Sequence, residues 1–144
     1  PGKLMSNEGR HQQSESFCNL DYLMVTLGRN EATAMRLVAM FLENYPLLCQ
    51  RMYAALDAGD PVALRNALHD IRSGCVLFSG QRCVDLARGF EDSLRRHLEN
   101  GHPLDGREDW RTMADTLANC LHCMASEMRN FLAGKAGQEH LRSP

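Results

Sequence analysis

The chain has 144 residues, of which 44% are hydrophobic and 24% are charged, and its formal net charge is -2 at pH 7. A chain of this length can bury one substantial core, so we expect a single domain. The small negative charge provides no basic surface for nucleic acid or for an anionic membrane, and no stretch resembles a membrane span or a signal peptide. These properties exclude nucleic acid and direct membrane contact from the expected partners.

The composition favours helices. Leu, Ala and Met are abundant, whereas Ile71 is the single isoleucine and Val and Thr are sparse, so few segments suit a sheet. Most of the six cysteines lie in helical patterns beside Leu and Met, where a free thiol behaves as a small hydrophobe. This usage is typical of a reducing compartment and predicts a cytoplasmic location.

The first part of the chain predicts a short helix after a polar lead. Residues 1–16 are polar and lack periodicity, so we interpret them as a disordered lead or a cloning remnant. Asn19 or Asp21 can cap a short helix that Gly28 closes.

A long helix follows, with Asn30 as its N-cap and Glu31 in its first turn. Its apolar positions keep helical spacing: Met35, Val38, Leu42, Tyr45, Leu48, Met52 and Leu56. Because Pro46 falls inside this pattern, we expect a kink there and not an end.

The next junction is marked by three residues. Gly59 can take the left-handed position that ends one helix, Asp60 can cap the next, and Pro61 fits its first turn. The third helix should run to about Phe78, before a tight turn at 79–80.

Two further helices complete the pattern. In the fourth helix, which should end near 100–101, the residues predicted to point inward are Cys83, Leu86, Phe90 and Leu94. Residues 101–106 predict a loop. The apolar positions of the last helix are Trp110, Met113, Leu117, Cys120, Leu121, Met124, Met128 and Phe131, and Gly134 should end it.

Together these elements predict an all-α fold, an up-and-down four-helix bundle with a short extra N-terminal helix. The bundle should cover residues 17–134, and residues 135–144 should form a flexible tail.

The third helix contains the candidate functional residue. Its apolar residues at 64, 68, 71, 75 and 78 form a buried stripe, and His69 lies one residue off that stripe. His69 shares a face with Arg65, Arg72 and Ser73. An imidazole between two guanidiniums suits the handling of phosphate. The alternative interpretation is a surface histidine beside solvated arginines.

A second candidate is the sequence Cys-Leu-His-Cys at 120–123, which resembles a metal or redox motif. No second Cys/His pair stands at zinc spacing, and Cys120 lies on the core stripe of the last helix. A metal-binding bundle is therefore the third alternative for function.

The stretch 56–91 resembles the histidine phosphotransfer (HPt) domain of bacterial phosphorelays. That family has a pattern close to His-x-Leu-Lys-Gly, and its His, Leu and Lys positions are occupied here by His69, Ile71 and Arg72. Further similar positions are the small residues Gly74 and Cys75, the turn residue Gly80, and the pair Phe90-Glu91. With the helices around it, the resemblance extends over about residues 20–133.

This resemblance implies that His69 accepts a phosphoryl group from a receiver-domain aspartate and passes it to another receiver. It implies a carrier without ATP binding or autokinase activity and without a cofactor, since magnesium would come with the receiver. Arg72 would offset phosphoryl charge, with Arg65 as a helper. Arg72 replaces the family lysine, and Ser73 replaces the family glycine.

The implied partners are receiver domains of response regulators or of a hybrid sensor kinase. We expect partner contacts from Ser73, Gly74, Leu68 and Gln81, on a face that the third helix shares with an apolar patch of the long helix. We expect a monomer, either freestanding or the terminal module of a sensor kinase tethered to the inner membrane. The alternative function is a helical interaction module that docks a receiver or another partner without carrying phosphate.

Overall fold

A computed structural model of the chain describes residues 16–104 and 108–142. In chain order its helices are α1 (Leu20–Thr26), α2 (Glu31–Ala58), α3 (Pro61–Leu77), α4 (Gln81–Glu99) and α5 (Glu108–Arg142). The described ranges contain no strand, which confirms the predicted all-α class. The predicted lead, apart from Ser16, and residues 105–106 of the predicted loop lie outside the described residues.

Local capping chemistry starts the first three helices where the sequence predicts. The side chains of Asn19, Asn30 and Asp60 each accept a hydrogen bond from a backbone N–H in the first turn of α1, α2 and α3. Gly59 ends α2 in the left-handed conformation, with φ at 63°. Pro46 stands inside α2, which continues through it as predicted.

The four long helices pack in a cycle. Helix α2 packs against α3 and α5, and α4 packs against the same two helices, while α1 packs on α2. The core between them is apolar, and no polar or charged residue is buried in the described part of the chain. None of the described helices has the length and hydropathy of a membrane-spanning segment.

A carboxylate of α5 helps to hold the segment before α1 against the bundle. Glu127 of α5 accepts the backbone N–H of Phe17 at 2.7 Å and that of Cys18 at 3.2 Å. The backbone N–H of Asn19 then donates to the carbonyl of Phe78, just after α3, at 2.9 Å. These bonds tie the start of the bundle to α5 and to the end of α3.

The structure corrects two predictions. Gly134 does not end the last helix, which continues to Arg142, because one interior glycine weakens a helix by only about 1 kcal/mol relative to alanine. Leu86 does not point into the core, since its side chain is 37% exposed. The buried stripe of α4 consists of Cys83, Ala87, Phe90 and Leu94, together with Val84.

Candidate functional site

His69 lies on the outer surface of α3. The opposite face of this helix is buried in the core through Leu64, Leu68, Ile71 and Cys75. Adjacent residues on an α-helix are about 100° apart, so the neighbour of a core residue can face solvent. His69 is exposed in this way, and its imidazole is accessible to a partner.

Arg72 contacts the imidazole from one helical turn further along α3. Its Nη2 atom lies 3.1 Å from Nδ1 of His69. The same guanidinium donates from Nε to Oε1 of Glu91 on α4 at 2.6 Å, and from Nη2 to Oε2 at 3.3 Å. The hydrogen bond and charge of Glu91 raise the pKa of Arg72 above its usual value. A fixed positive charge therefore stands beside the ring.

Glu91 is a site residue that the sequence analysis did not identify as such. It entered only as part of the resemblance in the Phe90-Glu91 pair. Its side chain is 17% exposed and that of Arg72 is 26% exposed, so the pair is partly shielded from water. An ion pair in this setting has a better-defined geometry than a solvated one. The sequence shows the opposite charges of Arg72 on the third helix and Glu91 on the fourth helix. It does not show that the two helices align so that these side chains meet.

A second ion pair stands on the other side of His69. Arg51 of α2 donates from Nη1 to Oδ2 of Asp70 at 2.9 Å, and both side chains are 48% exposed. A pair so exposed contributes about 0–1 kcal/mol to stability. The pair nevertheless shows which part of α2 lies beside the His69 region of α3.

Arg65, the predicted helper, stands one turn before His69 but does not contact the ring. It lines a groove of about 430 Å³ with α4 residues, namely Glu91, Leu94, Arg95, Leu98 and Glu99. Within the described residues no hydrogen bond or ion pair holds its guanidinium. Its role as a helper stays a prediction.

The expected partner-binding residues lie in different environments. Ser73 is exposed, and among the described residues its hydroxyl makes no hydrogen bond, so it does not hold the imidazole. Gly74 borders open space, since a Cβ atom placed on it would meet nothing within 4 Å. Gln81 is exposed at the start of α4, where it donates to Asp85 at 2.7 Å.

Leu68 requires a correction. Its side chain is fully buried, at 0% exposure, because it belongs to the apolar stripe of α3 that packs into the core. It therefore supports the helix from below and cannot present its side chain to a partner. The expectation of a partner contact at Leu68 was wrong.

Exposed apolar side chains stand on both α2 and α3. Leu47 of α2 is 55% exposed, and Leu77 of α3 is 47% exposed. The two helices are antiparallel, and the Arg51–Asp70 pair shows which of their turns are adjacent. Leu47 lies one helical turn before Arg51, and Leu77 lies two turns after Asp70. Because the helices are antiparallel, both leucines lie toward the same end of the α2–α3 surface.

The cysteine and histidine motif at 120–123 does not form a cluster of ligands. Cys120 is buried in the core and Cys123 is exposed. His122 is hydrogen-bonded through Nδ1 to the hydroxyl of Tyr45 at 3.0 Å. No group of three or more metal-ligating side chains occurs in the part of the chain that the structure describes.

Comparison with known proteins identifies the fold and the family. The family model of the Hpt domain matches residues 36–122, a segment that contains His69 and both of its flanking ion pairs. The structure is similar to the crystal structure of the HPT domain from the Hpt sensor hybrid histidine kinase of Shewanella, with a TM-score of 0.63 and 19% sequence identity over 83% of this chain and 96% of that chain. No curated protein matches the sequence. The chain belongs to the Hpt domain family, whose members are phosphotransfer intermediates of two-component phosphorelays.

Proposed function

We propose that His69 is the phosphoryl carrier of this domain. It would accept a phosphoryl group from the aspartate of one receiver domain and pass it to another receiver. The observation that carries this proposal is an exposed imidazole with a guanidinium 3.1 Å from Nδ1, inside the segment that matches the family. The carrier itself would have no autokinase or ATP-binding activity.

The chemistry of the site supports this role. A neutral imidazole has one ring nitrogen with a free lone pair, which can attack phosphorus. Arg72 can offset the negative charge that spreads over the equatorial phosphoryl oxygens during transfer. We propose that magnesium enters with the receiver and that this chain supplies no cofactor of its own.

The docking face would be the α2–α3 surface around His69. It combines the exposed side chains of Leu47 and Leu77 with the small residues Ser73 and Gly74, which follow His69 by about one helical turn. Apolar side chains beside small residues suit the packing of a receiver helix near the phosphoryl group. We propose that one copy of the chain binds one receiver there, in the cytoplasm.

The test is transfer of radiolabelled phosphate from a phosphorylated receiver domain. We expect the chain to acquire an acid-labile, base-stable label, and His69→Gln to remove it. His102→Gln is the matched control, since His102 is also exposed but lies in the loop after α4, and it should keep the label. Label that persists in His69→Gln contradicts the proposal. Receiver binding without any label favours the interaction module.

A further inference from the structure

The contact between Arg72 and His69 determines which ring nitrogen carries the proton. Nη2 of Arg72 lies 3.1 Å from Nδ1 of His69, a hydrogen-bond distance. A guanidinium has only donors, so Nδ1 must be the acceptor in this bond. The lone pair of Nδ1 is therefore engaged by Arg72.

This assignment has a consequence for the other nitrogen. A neutral imidazole has one lone pair and one N–H, so a ring that accepts at Nδ1 carries its proton on Nε2. Nε2 has no hydrogen-bond partner among the described residues, and the ring is exposed to solvent. The nitrogen open to a phosphodonor is thus the one without a lone pair.

Glu91 keeps the guanidinium in this position. It accepts two hydrogen bonds from Arg72 and holds it from α4, a different helix. The planar fork of arginine can bridge a carboxylate and a ring nitrogen in one fixed orientation, which the single ammonium of lysine does not impose. Arginine in place of the family lysine therefore gives the site a donor that is held in one orientation against Nδ1 of His69.

We propose that Arg72 is a cap on His69, which holds the resting ring in the tautomer that cannot attack through Nε2. This inference rests on the proposed function of His69 as carrier. Transfer requires Arg72 to leave Nδ1, so that the proton moves through solvent to Nδ1 and the lone pair appears on Nε2. Phosphoryl oxygens are strong bidentate acceptors for a guanidinium, so the incoming phosphoryl group is the ligand that draws the cap away.

Transfer then takes place through Nε2. The lone pair of Nε2 forms the N–P bond as the P–O bond to the receiver aspartate breaks. The aspartate oxygen keeps that electron pair, and the cationic ring afterwards releases its Nδ1 proton to water. In the reverse direction Nδ1 takes a proton from water, the aspartate attacks phosphorus, and the N–P bond breaks with its electron pair left on Nε2. The proton then moves through solvent from Nδ1 to Nε2, and Arg72 returns to Nδ1.

The tautomer can be measured without any phosphate. Two-bond ¹H–¹⁵N correlation spectra of the labelled chain, recorded at a pH where the ring of His69 is neutral, report which nitrogen is protonated. We expect the proton on Nε2 in the wild type. In Arg72→Ala the ratio of the Nε2–H to the Nδ1–H form should fall by about fivefold, as a hydrogen bond of ordinary net strength dictates.

Two further variants complete the experiment. Glu91→Gln keeps the arginine but weakens its anchor, so the ratio should fall in the same direction. Arg65→Ala removes an equal charge from the same helix without touching the ring, so the ratio should match the wild type. A wild-type proton on Nδ1, or one ratio shared by the wild type, Arg72→Ala and Glu91→Gln, overturns the cap. Label that persists in His69→Gln contradicts the carrier role but leaves the tautomer ratios unaffected, so the two proposals fail separately.

Discussion

Gly80 lies so close to Met124 that a larger residue at position 80 requires the end of the Met124 side chain to shift. A Cβ atom on Gly80 would lie 2.7 Å from Sδ and 2.9 Å from Cε of Met124, whose side chain is fully buried. Gly80 is also the residue before α4, so this contact fixes how closely the turn after α3 approaches α5. The turn thereby positions the end of the helix that carries His69.

Replacement of Gly80 by alanine should destabilise the bundle. We expect the free energy of unfolding to fall by about 1–3 kcal/mol, because the added methyl group overpacks the core at Met124. Urea unfolding followed by circular dichroism measures this change.

Gly74→Ala is the matched control for that substitution. It lies inside α3, where an added Cβ meets nothing within 4 Å. There alanine should raise the free energy of unfolding by about 0.5–1 kcal/mol through its higher helix propensity. Equal effects of the two substitutions would contradict the packing described at Gly80.

Substitution of Ser73 by a larger residue should restrict the access of a receiver to His69. In Ser73→Leu we expect phosphotransfer from a receiver to slow by about tenfold or more, since a bulky side chain overpacks the docking face. Phosphorylation by phosphoramidate, which needs no docking, should remain close to the wild-type rate.

The control for this prediction is Ser126→Leu. Ser126 is exposed on α5, a helix that packs against α2 and α4. That variant should transfer phosphate at the wild-type rate with both donors. A Ser73→Leu protein that is slowed equally with both donors would show that the defect lies in the imidazole and not in docking.

Tyr53 should make the stability of the bundle fall at alkaline pH. Its hydroxyl donates to Asp115, which joins α2 to α5, and burial together with this hydrogen bond raises the pKa of Tyr53 from 10.0 to about 12. The folded chain therefore keeps the phenolic proton at a pH where the unfolded chain has lost it. This stabilisation is complete below pH 10.0 and is lost as the pH rises to about 12.

The measurement compares the wild type with Tyr53→Phe in urea at several pH values. The advantage of the wild type in free energy of unfolding should shrink between pH 10.0 and about 12. A difference that stays constant over this range would contradict the hydrogen bond to Asp115.

Removal of the Glu127 carboxylate, which accepts the backbone N–H groups of Phe17 and Cys18, should loosen the segment before α1. In Glu127→Ala two backbone N–H groups lose their acceptor, so the free energy of unfolding should fall by about 1–3 kcal/mol. Amide exchange at Phe17 and Cys18 should accelerate more than exchange in the middle of α3. Ser126→Ala serves as the control and should change neither quantity. Unaltered amide exchange at Phe17 in Glu127→Ala would argue against these hydrogen bonds.

The sequence predicts those features of the fold that depend on neighbouring residues. Caps at Asn30 and Asp60 and the left-handed Gly59 act within one helical turn, so their effect is visible in the local pattern. Gly134 shows the limit of such local signals, because the helix formers on both sides of it carry α5 past a residue that often ends helices.

The exposed position of His69 was also predictable, because helical spacing alone separates it from the stripe that contains Leu68. Its surroundings were not. The contact from Arg72 to Glu91 joins residues 19 positions apart, and that from Phe17 to Glu127 joins residues 110 positions apart. Such contacts depend on how the helices align, which core packing decides and local periodicity does not show.

The most direct test of the carrier role identifies the atom that binds phosphorus. The ¹⁵N-labelled chain, phosphorylated by its receiver, can be examined by ³¹P–¹⁵N correlation spectroscopy under mildly alkaline conditions. We predict a single phosphorus signal coupled to Nε2 of His69. Phosphorus coupled to another histidine, or no nitrogen coupling at all, would contradict the assignment of His69 as the phosphoryl carrier.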